Sequence, residues 1–166
     1  MTADFLEKLF EHNNWANQQI IQACSALTDE QLDAEPQSAT QGSIRSTLLH
    51  LVGAQQGYLR LLTLSLDERR ERVTVDFADL EKSAASSGER LLALARDPSK
   101  LAVKAPIQTT NGYFTEPWVV MVQIINHATE HREQIKSMLS ALGITPPDID
   151  SWSYGEVNGG LVKIGD

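Results

Sequence analysis

The chain has little cysteine, few aromatic residues and no long apolar run. Its single cysteine, Cys24, has no partner in the chain for a disulfide, which is typical of a protein in a reducing compartment. No apolar run approaches the roughly 20 residues that cross a bilayer. The first residues also lack the basic and apolar segments of a secretion signal. These absences predict a cytoplasmic protein.

Positive charge is also scarce. The chain carries 14 lysines and arginines against 22 acidic residues, for a net charge of −8. An acidic chain without a basic cluster is a poor partner for nucleic acids and for anionic membranes. The charge therefore predicts no nucleic-acid partner and no membrane partner. The length of 166 residues is typical of one domain, which we expect to span residues 1–166.

Apolar residues recur at helical spacing in four long segments, at about residues 4–27, 44–64, 76–96 and 118–142. Between the third and fourth segments, Asn111-Gly112 lies between β-prone runs, a pattern typical of a tight hairpin. The sequence thus predicts an all-α fold, a four-helix bundle with a small β-hairpin between helices 3 and 4. The connectors around the second and third helices permit antiparallel packing there, and the tail after Gly143 is predicted to be irregular.

His127 and His131 stand out in the fourth helical segment. Their separation of four residues puts both rings on one helix face, within its apolar stripe. A buried imidazole needs a partner for its nitrogen, and two neutral imidazoles form half of a metal site. A third ligand must come from elsewhere in the chain, and the remaining histidines are His12 and His50.

The same stretch, His127-Ala128-Thr129-Glu130-His131, also fits the inverted zinc-peptidase pattern H-x-x-E-H. In that interpretation Glu130 would be the general base. At about 100° per residue, however, Glu130 points away from the centre of the apolar stripe. The pattern therefore indicates a pair of metal ligands rather than a peptidase.

Four further polar residues are candidates for a substrate pocket or for contacts behind the metal ligands. Asn13 and Asn17 share the apolar face of the first helix, so they either bond to neighbouring helices or line a polar pocket at the metal. Tyr58 is either a packed residue with its hydroxyl at the rim or a substrate contact. Gln134 follows His131 by about one turn and is the best candidate to orient a ligand.

Three stretches, in order, and a short segment of the tail resemble the DinB/YfiT-like metalloenzyme superfamily. The stretch from Leu9 to Asn17 is similar to the family's aromatic-Asn-x-Trp-Ala-Asn pattern, with His12 where an aromatic is more usual. The stretch from Gly42 to His50 resembles the segment that leads to the family's first histidine ligand. His127 and His131, followed by Arg132 and Gln134, resemble the second and third ligands. The tail 147–150 is similar to its acidic end segment.

The resemblance implies a four-helix bundle in which His50, His127 and His131 hold one divalent metal ion, zinc or nickel. It implies a low-molecular-weight-thiol S-transferase, in which the metal activates a thiolate and Asn13, Asn17, Tyr58 and Gln134 orient the substrate. The thiol would be of the bacillithiol, mycothiol or glutathione kind, in a bacterial stress response. Homodimerisation stays open. The alternatives are a hydrolase that uses metal-bound hydroxide and a non-enzymatic metal-binding stress-response protein.

Overall fold

A computed structural model describes residues 2–36, 42–70, 74–101 and 106–164. Four long helices form the predicted bundle, and a two-stranded hairpin lies between the last two of them. The helices are α1 (Thr2–Ser25), α2 (Asp29–Asp33), α3 (Ile44–Thr63), α4 (Leu80–Arg96), α5 (Pro117–Ala141) and α6 (Ser151–Val157). Short 3-10 turns cover Glu68–Arg70, Phe77–Asp79 and Pro98–Lys100. Among the described residues, no helix is both long and apolar enough to cross a membrane.

Local sequence chemistry sets the helix ends. The hydroxyl of Ser43 accepts a bond from the backbone N–H of Ser46 and caps α3, the helix that carries His50. Gly143 ends α5 with a φ of 74°, a backbone conformation that glycine adopts without steric cost. Glu116 is the N-cap of α5. The expectation of an irregular tail was wrong, because the tail contains α6, which Asp150 caps.

The hairpin lies where Asn111-Gly112 predicts it. Strand β1 (Ile107–Gln108) pairs antiparallel with β2 (Phe114–Thr115). Gly112 has a φ of 91°, which is the left-handed conformation that the turn requires. The buried side chain of Ile107 fixes the hairpin to one end of the bundle, so its tip reaches the side of α3.

The core consists of two apolar clusters at opposite ends of the bundle. The first contains Phe10, Leu59, Leu62, Leu91, Leu94, Val120 and Ile124. The second contains Ile20, Cys24, Leu48, Leu80, Ala84, Ile135 and Met138. The first cluster joins the first half of α1 to the ends of α3 and α4, and the second joins the end of α1 to the starts of α3 and α4. Helix α3 therefore runs parallel to α4 and antiparallel to α1. The connectors permit antiparallel packing of α3 and α4, but the two helices pack parallel to each other.

A chain of buried hydrogen bonds joins the four long helices between these clusters. On α5, Arg132 Nη1 donates to Asn13 Oδ1 (2.8 Å) and to Asn17 Oδ1 (2.6 Å) on α1. Asn17 Nδ2 donates to Gln55 Oε1 on α3 at 2.8 Å. Gln55 Nε2 in turn donates to Ser87 Oγ on α4 at 2.7 Å. The network fixes the relative height of the helices, because sliding one of them would leave buried polar atoms without partners.

Arg132 is the charged member of this network, with an exposed fraction of only 4%. Burial lowers its pKa to about 10, so it remains a cation at neutral pH. Its second amino group, Nη2, donates to Thr129 Oγ1 at 3.0 Å. The enclosed charge is thus stabilised by hydrogen bonds to uncharged oxygens, and the two asparagine oxygens have their described donor in Arg132.

Replacing Arg132 with methionine should lower the free energy of unfolding by about 2–5 kcal/mol, because two buried amide oxygens lose their donor. Urea denaturation measures this change. Lys136→Met is the matched control on the same helix, since it removes only the surface pair with Glu133 and should cost less than about 1 kcal/mol. Equal stability of the two variants would show that the network does not stabilise the bundle.

Candidate metal centre

Three histidines meet on the face that α3 and α5 share. His50 comes from α3, and His127 and His131 come from successive turns of α5. One nitrogen atom from each ring lies within 4.8 Å of those of the other two. The Nε2 atom of His127 is 3.1 Å from His50 Nε2 and 3.1 Å from His131 Nε2. The three side chains are therefore close enough together to hold one metal ion.

Gln134 sets the proton position on one of these rings. Its Oε1 lies 2.7 Å from His131 Nδ1, and a carboxamide oxygen can only accept a hydrogen bond. With this assignment of the amide, His131 carries its proton on Nδ1, and its Nε2 presents a lone pair to His127. A partner that orients the ring from behind is typical of metal-ligating histidines.

The surroundings favour neutral imidazoles. Burial, together with smaller contributions from the neighbouring His131 and His50, lowers the pKa of His127 to about 4. Burial also lowers the pKa of His50, with a smaller contribution from His131. The neutral ring is the form that binds a metal, so at neutral pH His50 and His127 are ready to act as ligands.

The histidines open onto a cavity of about 570 Å³ between α3 and the hairpin. Its lining includes His50, Gly53, Ala54, Gln56, Gly57, Tyr58, Arg60, Leu61, Arg69, Thr109, Thr110, Asn111 and His127. The Tyr58 ring meets His127 edge-on, with 5.6 Å between ring centroids. A second cavity of about 180 Å³ lies beside His50 and His131, and Gln134 lines it. Tyr58 and Gln134 thus lie next to the histidines.

The other candidates lie elsewhere. Asn13 and Asn17 are buried against Arg132, and neither lines the two cavities beside the histidines. His12 lies in a separate aromatic group with Trp15 and Tyr154, with its Nε2 3.0 Å from the carbonyl oxygen of Ile149. Glu130 is exposed, which agrees with its predicted position off the apolar stripe.

Sequence reasoning missed the buried roles of Arg132 and Gln55. A signal was present in both cases. Arg132 lies in helical step with the buried residues Ala128 and Ile135, and Gln55 lies in step with Leu51 and Leu59. A polar residue on an apolar stripe must find buried partners, and Asn13 and Asn17 supply those of Arg132.

Comparisons with known proteins agree with the helical fold. A sequence model of the DinB family matches residues 1–160. Protein DinB of Bacillus subtilis (strain 168) is 27% identical over 163 residues, which cover 92% of this chain and 94% of that protein. The crystal structure of a protein from Exiguobacterium sibiricum 255-15, described as a member of the DinB family, matches with a TM-score of 0.65 at 19% identity. That match covers 85% of this chain and 91% of the other. The chain belongs to the DinB family.

Proposed function

We propose that this protein is a metal-dependent S-transferase for a low-molecular-weight thiol, with His50, His127 and His131 as ligands of zinc or nickel. The observation that carries the proposal is the convergence of three Nε2 atoms beside an open cavity that His50 and His127 line. Three imidazole ligands leave a coordination position open, which is the mark of a catalytic site rather than a structural one.

The spacing of the three rings fits a metal ion. Nitrogen ligands about 2.0–2.1 Å from a tetrahedral zinc lie roughly 3.3 Å apart. Two Nε2–Nε2 distances in the site are 3.1 Å, which is close to that value. Because Gln134 Oε1 accepts a hydrogen bond from His131 Nδ1, the Nε2 atom of His131 is free to donate a lone pair. Gln134 then acts by keeping this ring in the binding orientation.

A divalent metal in this position would supply Lewis-acid chemistry and lower the pKa of a thiol beside it. The chain's own residues would do the rest. The cavity wall at Gly53, Ala54 and Gly57 leaves room for a substrate against the histidines. Tyr58 presents its ring to His127 and would orient the substrate there. Asn13 and Asn17 would act indirectly, by fixing α5 through Arg132.

A hydrolase with water as the nucleophile is the first alternative. Such an enzyme commonly uses a carboxylate near the metal as a general base. None of the described residues that line the two cavities beside the histidines is an aspartate or a glutamate. This composition favours a thiol over water as the nucleophile. A non-enzymatic metal-binding protein is the second alternative, and it predicts no turnover with any substrate.

Replacing any of the three proposed ligands, His50, His127 or His131, with alanine should remove most of the bound metal. Elemental analysis of the purified protein measures the metal content. His12→Ala is the matched control, because His12 bonds to Ile149 in a separate group and should retain full occupancy. If His50→Ala kept its metal while His12→Ala lost it, the proposed ligand set would be wrong.

Turnover should require both the metal and a small thiol. The test is a panel of electrophiles assayed with zinc- or nickel-loaded protein in the presence and absence of low-molecular-weight thiols. Product should form only when both are present. Metal-dependent turnover in thiol-free buffer would instead identify a hydrolase, and inactivity across the panel would favour the non-enzymatic alternative.

Removing the metal near neutral pH should lower the melting temperature and leave the helical circular-dichroism signal intact at room temperature. The bundle has its own apolar core, so the metal adds only its binding increment, on the order of 3–4 kcal/mol at a few hundred-fold excess over its dissociation constant. Chelator titrations followed by thermal unfolding measure both effects. Loss of the helical signal on chelation would show that the site is structural.

Acid should destabilise the metal-free protein as well. The pKa of His127 is about 4 in the folded state and near 6.5 in the unfolded chain. Between these values the unfolded chain binds a proton that the folded chain does not. Stability should therefore fall as the pH drops from about 6.5 towards 4. His127→Ala should weaken this pH dependence.

A further inference from the structure

A separate groove lies where α1 and α5 meet the end of α4, and we call it the α1–α5 groove. Its volume is about 640 Å³, and it shares no lining residue with the two cavities beside the histidines. The lining is mostly apolar and includes Leu6, Leu9, Leu94, Leu101, Met121 and Ile125. Volumes of about 300–1,000 Å³ are typical of sites for small molecules. The groove is therefore large enough to hold a ligand of its own.

Trp118 forms one wall of the α1–α5 groove and is largely uncovered. It is 67% exposed, whereas two other lining residues, Leu94 and Met121, belong to the buried core. A tryptophan offers roughly 150–250 Å² of surface for packing, most of it apolar. A ligand in the groove would cover this ring and remove its apolar surface from water. The groove thus has a packed base and an aromatic wall that is open to a ligand.

The polar residues of the described lining are Glu116 and Asn126, which lie at opposite ends of the part of α5 that borders the groove. Ten residues separate them, which corresponds to about 15 Å along a helix. The lining residues of α5 between these two ends are all apolar. This arrangement fits an elongated ligand that has an apolar body and a polar group at one end.

Glu116 is the single charged residue among the described residues that line the groove. Its side chain does not cap α5, and it has no hydrogen bond or ion pair within the described part of the chain. The charges next to the groove are paired instead, Arg96 with Glu7 at 2.7 Å and Lys100 with Asp97 at 3.8 Å. The exposed carboxylate of Glu116 is therefore available to a cation, whereas an anion in the groove would be repelled.

We propose that the α1–α5 groove binds a small hydrophobic cation, with its ammonium group at Glu116 and its apolar chain against Trp118. The site is separate from the histidines, so the inference does not depend on the proposed function. The apolar chain supplies most of the affinity, since each buried methylene strengthens binding about fourfold. The ammonium group donates charge-assisted hydrogen bonds to the carboxylate and determines which of several equally apolar ligands binds best.

The test compares octylamine, 1-octanol and octanoate, which have the same chain length and differ in charge. Fluorescence titration measures binding, and the Trp118 signal is identified by its loss in Trp118→Phe. Octylamine should shift this emission to shorter wavelength and bind about threefold more tightly than octanol, with octanoate the weakest ligand. Hexylamine, which is two methylenes shorter, should bind about fifteenfold more weakly than octylamine. In Glu116→Gln the advantage of octylamine over octanol should disappear, while the affinity for octanol should stay the same.

Glu130→Gln is the matched control. It removes the same charge from an exposed position of the same helix, but Glu130 does not line the groove. It should therefore keep the preference for octylamine. An equal loss of this preference in both variants would overturn the proposal, because it would indicate a general attraction of the acidic chain for cations. So would octanoate binding as tightly as octylamine, or a Trp118 emission that does not respond to octylamine.

A second copy of the chain is the other occupant that an exposed apolar wall permits. Sedimentation velocity of the ligand-free protein at several concentrations measures self-association, and the Trp118 emission at the same concentrations shows whether the groove is covered. We expect the emission to be independent of concentration. A shift of Trp118 emission that accompanies dimer formation and that octylamine does not reverse would show that a second copy covers the groove, and it would overturn the proposal.

Discussion

The guanidinium of Arg132 is a permanent cation enclosed among the four long helices, and its need for oxygen acceptors constrains all of them. Asn13 and Asn17 satisfy it from α1, and Gln55 continues the bonding into α3 and α4. Apolar packing alone tolerates small slides between helices, because one aliphatic contact resembles another. A hydrogen-bonded cation does not tolerate such slides, because each hydrogen bond requires its acceptor at a fixed distance and angle. The network therefore specifies the helix register on which the histidine site depends.

Two factors determine the positions of the three histidine rings. The spacing of His127 and His131 is a property of one helix and needs no tertiary contact. The position of His50 depends on how α3 packs against α5, and Gln55 lies on α3 only five residues beyond it. Arg132 is the residue directly after His131, so the register that the network fixes is transmitted to both halves of the site. A bundle frame of this kind holds the rings in place before any ligand arrives.

Helix periodicity and end signals predicted much of this fold. Four apolar stripes, the Ser43 cap, the Asn111-Gly112 turn and Gly143 each correspond to local rules, and local rules act within a few residues. The course of the α3–α4 connector was not predictable in this way, since parallel and antiparallel packing bury the same stripes. The family resemblance, rather than spacing, favoured His50 over His12 as the partner of the α5 pair. The structure places His50 with that pair and His12 near Tyr154.

The order in which the long helices pack affects how the chain folds during its synthesis. The long helices contact each other in the ring α1–α4–α3–α5, so α1 and α3, the first two to be synthesised, lie diagonally opposite. The contacts of α1 with α4 join residues far apart in the sequence, as between Arg96 and Glu7. A nascent chain that has produced only α1 and α3 therefore lacks the helices that cover their apolar stripes. The ring of four helices can close only after translation has passed α5, because α5 supplies the contacts that join α3 back to α1.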